Sequence, residues 1–294
     1  MLRVLTLIGA GPLNEAPPQG PGTPDRSWKW GENLPQRPLL LVTGARGVLG
    51  SLLRPTLRDQ YSLRVSDRDA AGSSGPDEVL VGDLTDPGFA TEAVAGVDAI
   101  LHLAAYASPR APWPAIAPNI AMTHNVLAAA EHHSIDKVVL ASSNHAAGLN
   151  YRDGECPVDP AAAPRPCCAY GTAKLAEEAL GRLHAVRTGA SVMSIRFGLV
   201  GWALAERDYN AMWLSDRDAA ALVGAVLRSP VGHGVYFGMS RHAEAFWSLA
   251  NARTDLGWKP RDVLPARAES LPWAPSPPCL MFDPHTTGTT APTT

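Results

Sequence analysis

Only four cysteines occur in 294 residues, Cys156, Cys167, Cys168 and Cys279, with no Cys-x-x-Cys spacing, and the vicinal pair cannot easily bridge to itself. A disulfide framework is excluded, no metal site is expected, and the thiols read as buried or idle. Charge of either sign is also sparse, because 25 Lys and Arg against 28 Asp and Glu leave a formal net charge of -3 with the basic residues scattered. That balance excludes a broad nucleic-acid surface. Long apolar runs are missing too: the opening "MLRVLTLIGAG" breaks at Gly and Pro before it could span a bilayer, and no signal-peptide cleavage region follows. A cytoplasmic protein with no membrane partner is expected.

What is abundant is apolar residues, at 46%, and proline, at 27 residues. From Pro12 to Pro38 the segment is too dense in Pro and Gly to hold a helix or a central strand, so residues 1–37 read as an arm. Residues 263–294 are rich in Pro and Thr and read as a loose, disordered tail. Between them lies the folded body, without internal repeats, expected as a cofactor domain over 38–198 and a substrate region over 199–262.

Within that body "PLLLVTG", "SLRVSD", "EVLVGD", "AILHLA", "KVVLASS" and "SVMSIRFG" are short apolar strand candidates, separated by stretches with helical apolar spacing. Strands apolar on both faces and spaced by helices belong to a parallel sheet covered on both sides. The expected fold is a doubly wound α/β sheet of the Rossmann type.

Two glycine turns compete for a nucleotide. A dinucleotide loop needs a strand, a tight turn that lets backbone approach the diphosphate, and a helix whose N-terminus attracts the anion. After Gly9 and Gly11 the chain runs into "PLNEAPPQGPGTP", which cannot be that helix. After "LLLVTG" come Gly44, Gly47 and Gly50, then "VLGSLLRPTLRD" with Val48, Leu49, Leu52, Leu53 and Leu57 at helix spacing. The second turn fits. Pro55 predicts a kink or a lost hydrogen bond in its helix.

About twenty residues past that loop the second strand ends at Asp67, where a carboxylate accepts hydrogen bonds from ribose hydroxyls and repels a 2'-phosphate. This favours NAD, with NADP left open by the neighbouring Arg68; the alternative reading of Asp67 is a turn residue. Asp83, closing "LVGD", either reaches an adenine amine or caps a helix.

The strongest chemical signal is "YGTAKLAEEALGRLHAV", where Tyr170 and Lys174 stand four apart on a helix and so share a face. An ammonium beside a phenol, with the positive charge of an oxidised nicotinamide, stabilises the phenolate and allows Tyr170 to act as general base near neutral pH.

Taken in order, "TGARGVLG", "GDL", "HLAA", "ASS" and Tyr-x-x-x-Lys resemble the extended short-chain dehydrogenase/reductases, the NAD-dependent epimerase/dehydratase group, over about residues 38–262. The resemblance implies a catalytic group of Ser143, Tyr170 and Lys174, with Ser142 pointing into the sheet. It implies a cofactor held by Gly44, Arg46, Gly47, Val48 and Leu49, by Asp67, Asp83 and Leu84, and by Leu103, Ala104, Ala105, Asn119 and Lys174. Within the family "ASSNHAAG", "MWLSDRDAAALVGAVLRSP", the strand-like "GVYFGMS" and "FWSLANARTDLGWKP" are most similar to uronate dehydrogenases. That likeness implies a sugar acid touching Asn144 and His145, hydride transfer from its anomeric carbon to NAD, a lactone product, and a homo-oligomer.

Departures fall where substrate is chosen. Leu199 stands where the family has a small polar residue, and the arginine expected to pair with a substrate carboxylate falls on Asp208, with Arg207 next to it. Ser108 and Arg110 are further candidates for a sugar hydroxyl and an anion. Trp202, Tyr209 and Trp213 read as core or as an aromatic pocket wall. The expected function is NAD-dependent oxidation of a hydroxyl or hemiacetal in a sugar acid or sugar-like molecule. One alternative is an epimerase or dehydratase using the cofactor transiently, although "SSNHA" offers no acid to protonate a departing hydroxyl. The other is a non-catalytic cofactor-binding regulator, which has no need of a Tyr and Lys pair.

Overall fold

The computed structural model describes residues 37–69, 76–201, 211–264 and 280–282. Most of the expected arm and tail, and the candidates Trp202, Arg207, Asp208 and Tyr209, lie outside the described residues.

Seven parallel strands form one sheet: β1 (Leu39–Thr43), β2 (Ser62–Asp67), β3 (Glu78–Val81), β4 (Ala99–His102), β5 (Lys137–Ser143), β6 (Ser191–Phe197) and β7 (His233–Gly238). Their order is β3-β2-β1-β4-β5-β6-β7, so β1 pairs with β2 on one side and β4 on the other. The chain reverses its direction of winding there, and the ends of β1 and β4 frame the crevice in which such sheets bind ligands. Every residue of β4, β5 and β6 is buried, as expected of strands covered on both faces, whereas edge strand β3 has none.

The helices are α1 (Val48–Leu57), α2 (Pro87–Val94), α3 (Trp113–Ile116), α4 (Pro118–His132), α5 (Gly148–Arg152), α6 (Ala169–Thr188), α7 (Asp216–Arg228) and α8 (Ala250–Leu256). Two layers, α2 with α4 and α6, and α1 with α7, flank the sheet. Local chemistry sets their ends: the Asp86 side chain accepts from Gly88 N at the start of α2, and α6 stops at Gly189, whose φ of 74° suits glycine. Helix α1 runs on through Pro55 to Leu57; the proline costs one hydrogen bond without ending the helix. Among the described residues no helix is long and apolar enough to cross a membrane.

Beyond β6 the chain is tied down by polar contacts. Ser215 caps α7 by accepting from Asp218 N, while buried Asp218 accepts from Ser240 Oγ and from the backbone N–H groups of Arg261 and Asp262. In the segment expected to be a loose tail, Leu280–Phe282 forms a short 3-10 turn and buries Met281 beside Gly148 and Cys167. That piece departs from the expectation because its apolar side chain finds a gap that glycine leaves open.

Candidate active site

At the end of β1 the chain turns at Gly44 with φ of 65°, and a Cβ there would lie 2.7 Å from the backbone N and Cα of Ala104. A Cβ on Gly50 would lie 2.6 Å from Gly44 O. These two glycines let the turn fold down onto its own helix and onto the loop after β4. Gly47 is less constrained, at 3.2 Å from Gly44 O, and precedes α1 with neither a capping side chain nor an acidic residue in the first turn. The uncapped N–H groups and the exposed Val48 form a cradle suited to a diphosphate. Leu49 is half-buried beside them. Thr43 Oγ1 accepts from the N–H groups of both Leu103 and Ala104 at 3.1 Å, which draws that loop, Ala105 included, against the turn.

Asp67 ends β2 with its carboxylate accepting from Arg46 N (2.9 Å) and Arg68 N (2.8 Å), beside the glycine turn. Asp83 does not cap α2, a place held by Asp86; it accepts from Thr85 N at 2.9 Å, and that bond lowers its pKa. The Leu84 side chain belongs to the core, leaving only its backbone, held by Asn125 Nδ2, at the loop surface. Asn119 is fully buried and its amide is engaged twice by the backbone of Tyr106, accepting at 2.9 Å and donating at 3.3 Å. It clamps the loop that carries Tyr106.

Tyr170 and Lys174 come together as the spacing requires. Both are buried in the first turns of α6, with Lys174 Nζ 5.8 Å from the phenol ring centre. Burial raises the Tyr170 pKa, outweighing the charge of Lys174 and a hydrogen bond with Ser143, both of which lower it. The lysine offsets part of the effect of burial. Ser143 ends β5, where its Oγ accepts from His145 N (3.2 Å) and donates to Asn144 Oδ1 (3.3 Å). Ser142, on the opposite face, donates to Glu178 Oε1 at 2.5 Å.

The Asn144–Ala147 turn after Ser143 is fastened to the start of α6. His145 O accepts from Cys167 N at 3.2 Å, and Gly171 has no room for a side chain against that same carbonyl. Asn144 is buried, and its Nδ2 has no hydrogen-bond partner among the described residues. The half-buried His145 ring stands 6.0 Å from the Tyr170 ring, its Nδ1 facing Cys167 and Cys168. Leu199 bridges to Trp213, donating its N–H to Met212 O at 2.7 Å, so it shapes the wall beyond β6 with Trp213 half-buried beside it. Ser108 is half-buried in the loop before α3.

Several polar residues escaped the sequence reading. Lys174 Nζ donates to Glu177 Oε2 at 2.9 Å; Thr123 Oγ1 donates to the same oxygen at 3.1 Å. His102 lies 3.1 Å from Thr123 through Nε2 and 2.8 Å from Thr43 through Nδ1, closing a buried chain from the glycine turn to Lys174. Burial lowers the His102 pKa to about 3, so the ring is neutral and passes one hydrogen bond along. Glu178 holds Arg196 through paired 2.8 Å bonds in the sheet interior. The signal for Glu177 was present in the sequence, three residues after Lys174 on the same helix face.

Residues 40–201 match the NAD dependent epimerase/dehydratase family. The chain is 32% identical over 243 residues to the NAD-dependent glucose-6-phosphate dehydrogenase of Haloferax volcanii, covering 76% of this chain and 93% of that one. It is 35% identical over 240 residues to the uronate dehydrogenase of Pseudomonas syringae pv. tomato, covering 79% and 86%. A mutant uronate dehydrogenase from Agrobacterium tumefaciens, solved in complex with NAD, superposes with a TM-score of 0.72 at 32% identity, covering 77% of this chain and 85% of that one. With a glycine cradle at the sheet's reversal point and a Ser, Tyr and Lys group beside it, the chain belongs to the NAD dependent epimerase/dehydratase family and is an enzyme of the extended short-chain dehydrogenase/reductase type.

Proposed function

We propose that the protein is an NAD-dependent dehydrogenase that oxidises the anomeric hydroxyl of a cyclic sugar acid, a hexuronate in the first instance, to its lactone. The observation that carries this reading is the placement of Tyr170 and Ser143 together, with the unpartnered donor Asn144 Nδ2 in the turn that follows. Ser143 holds the reacting oxygen and Tyr170 takes its proton. Lys174 favours the phenolate form of Tyr170 that accepts this proton, and Asn144 with His145 orients the sugar acid. The bound nicotinamide supplies the hydride acceptor and a positive charge. Gly44, Gly47 and Gly50 receive its diphosphate with Arg46, Val48 and Leu49. Asp67, beside the turn, receives the adenosine ribose and favours NAD over NADP by repelling a 2'-phosphate.

Relatives named for a uronate and for a sugar phosphate support a sugar-type substrate. The wall formed by Leu199 and Trp213 is more apolar than a sugar acid requires, so the anion is assigned to Asn144, His145, Ser108 and Arg207. Mixing protein, NAD and glucuronate or galacturonate is expected to raise absorbance at the reduced-nicotinamide band. Tyr170→Phe is expected to abolish the rise while NAD still binds. No rise with any sugar acid, or undiminished turnover in Tyr170→Phe, overturns the assignment; altered product at catalytic cofactor would indicate epimerisation.

A further inference from the structure

Two vicinal thiols and one imidazole converge where β5 and α6 meet. His145 Nδ1 lies 3.3 Å from Cys167 Sγ and 3.6 Å from Cys168 Sγ, and all three atoms lie within 4.8 Å of one another. In a tetrahedral zinc site, metal bonds of about 2.3 Å to sulfur and about 2.0 Å to nitrogen set neighbouring ligand atoms roughly 3.5–3.8 Å apart. The two nitrogen-to-sulfur distances fall at that edge length, and the two sulfurs, within 4.8 Å of each other, would close to about 3.8 Å around an ion.

The backbone around the cluster holds it in that form. Cys167 donates its N–H to His145 O at 3.2 Å, and Gly171, in the first turn of α6, lies too close to the same carbonyl to carry a side chain. Cys167 is buried against Gly148 and Met281, closing one side, while His145 and Cys168 are half-buried and leave an approach from the other. Cys168 is the N-cap of the 20-residue α6, its Sγ accepting from Gly171 N at 3.4 Å. Oriented N–H groups at a helix start favour the thiolate, which is the form that binds metal.

We propose that His145, Cys167 and Cys168 form a three-ligand site for a thiophilic divalent cation of the zinc class, with a fourth position left to water or to an oxygen of a bound ligand. One nitrogen and two sulfur donors suit such an ion and exclude magnesium and calcium, which take oxygen. Bound through Nδ1, the ion leaves the proton of His145 on Nε2, making the ring a donor to whatever lies beside Tyr170. It also ties the turn after Ser143 to the first turn of α6, so the loop carrying the serine and the helix carrying the tyrosine become one unit.

The test is a cobalt titration of the full-length, reduced, chelator-treated protein, which reads the donor set without any turnover. An equimolar amount of Co²⁺ is expected to produce a thiolate-to-cobalt charge-transfer band and the intense visible bands of tetrahedral cobalt, and Zn²⁺ is expected to bleach both. Cys167→Ser and Cys168→Ser should each lose the charge-transfer intensity by about half or more, whereas Cys156→Ser should keep it. Serine also caps helices well, so the position 168 variant retains its fold. Absence of the band at equimolar cobalt, or its persistence in both serine variants, overturns the site and leaves a thiol–imidazole hydrogen bond in its place. The outcome is independent of whether any sugar acid is oxidised.

Discussion

Lys174 Nζ and Glu177 Oε2 lie 2.9 Å apart on one face of α6, each side chain only 3% exposed. Burial lowers the lysine's pKa, but Glu177, Tyr170 and Glu178 outweigh it and the net shift is upward, so the ammonium is kept. On Glu177 burial prevails over Lys174 and Thr123, and its pKa is raised. The glutamate also raises the pKa of Tyr170. It holds the lysine in place while opposing ionisation of the Tyr170 phenol.

Glu177→Gln should therefore separate two effects. Removing its charge lowers the Tyr170 pKa, and because the base acts deprotonated, the rising limb of the pH–rate profile should move to lower pH. Stability should fall by up to about 3 kcal/mol, since an ammonium is left without its buried counter-charge. A pH profile of kcat and a denaturant titration read the two separately.

The glycine turn makes a graded prediction. Gly44→Ala adds a Cβ at a positive φ and at 2.7 Å from Ala104, and should cost on the order of 1–3 kcal/mol of stability together with NAD binding. Gly47→Ala has an ordinary φ of -63° and meets only Gly44 O at 3.2 Å, so it should fold as the parent does but bind NAD more weakly. Thermal unfolding and a tryptophan-quenching titration with NAD distinguish the two.

Cofactor choice should turn on one carboxylate. Asp67→Asn keeps an oxygen to accept from Arg46 N but removes the charge, leaving Arg46 and Arg68 to meet a 2'-phosphate. The NAD to NADP ratio of kcat/KM is expected to drop about tenfold or more, equivalent to about 1.4 kcal/mol. An unchanged ratio would place the ribose elsewhere.

Lys137 Nζ, buried at the start of β5, donates to Ser191 Oγ and Ser229 O, and burial lowers its pKa to about 7. The unfolded chain binds that proton up to about pH 10, so between pH 7 and 10 the unfolded state carries more protons and stability should rise with pH, by at most about 1.4 kcal/mol per unit. His102, with its pKa lowered to about 3, contributes in the same sense between about pH 3 and 6.5. Denaturant midpoints across pH in the parent and in Lys137→Met should show the alkaline rise in the first and not the second.

Asn144→Ala tests the substrate turn. It gives up the bond that Oδ1 accepts from Ser143 Oγ and leaves a small buried gap, so stability should fall by about 0.5–3 kcal/mol while KM for the sugar acid rises severalfold. A KM that stays constant would remove Asn144 from the substrate site.

Local patterns carried the architecture. The runs "LLLVT" and "KVVLASS" bury every or nearly every residue because a parallel sheet has no wet face, and the Gly44 turn opens helix α1 as the apolar spacing after it predicts. Tyr170 and Lys174 were legible for the same reason, since the period of one helix sets their relation. Less legible were the contacts of residues whose partners lie far along the chain. Asn119 turned out to clamp Tyr106, and the Leu84 side chain went to the core.

Spacing along the chain thus determined the strands, the glycine turn and the paired phenol and amine, all of which depend on residues within a turn or two of each other. Tertiary structure alone decided what surrounds them: the chain of hydrogen bonds from Thr43 through His102 and Thr123 to Glu177, and the meeting of His145 with two thiols more than twenty residues away. Such contacts follow from how β5 and α6 dock. No periodicity records them, because burial selects polar partners by position in space rather than by distance along the chain.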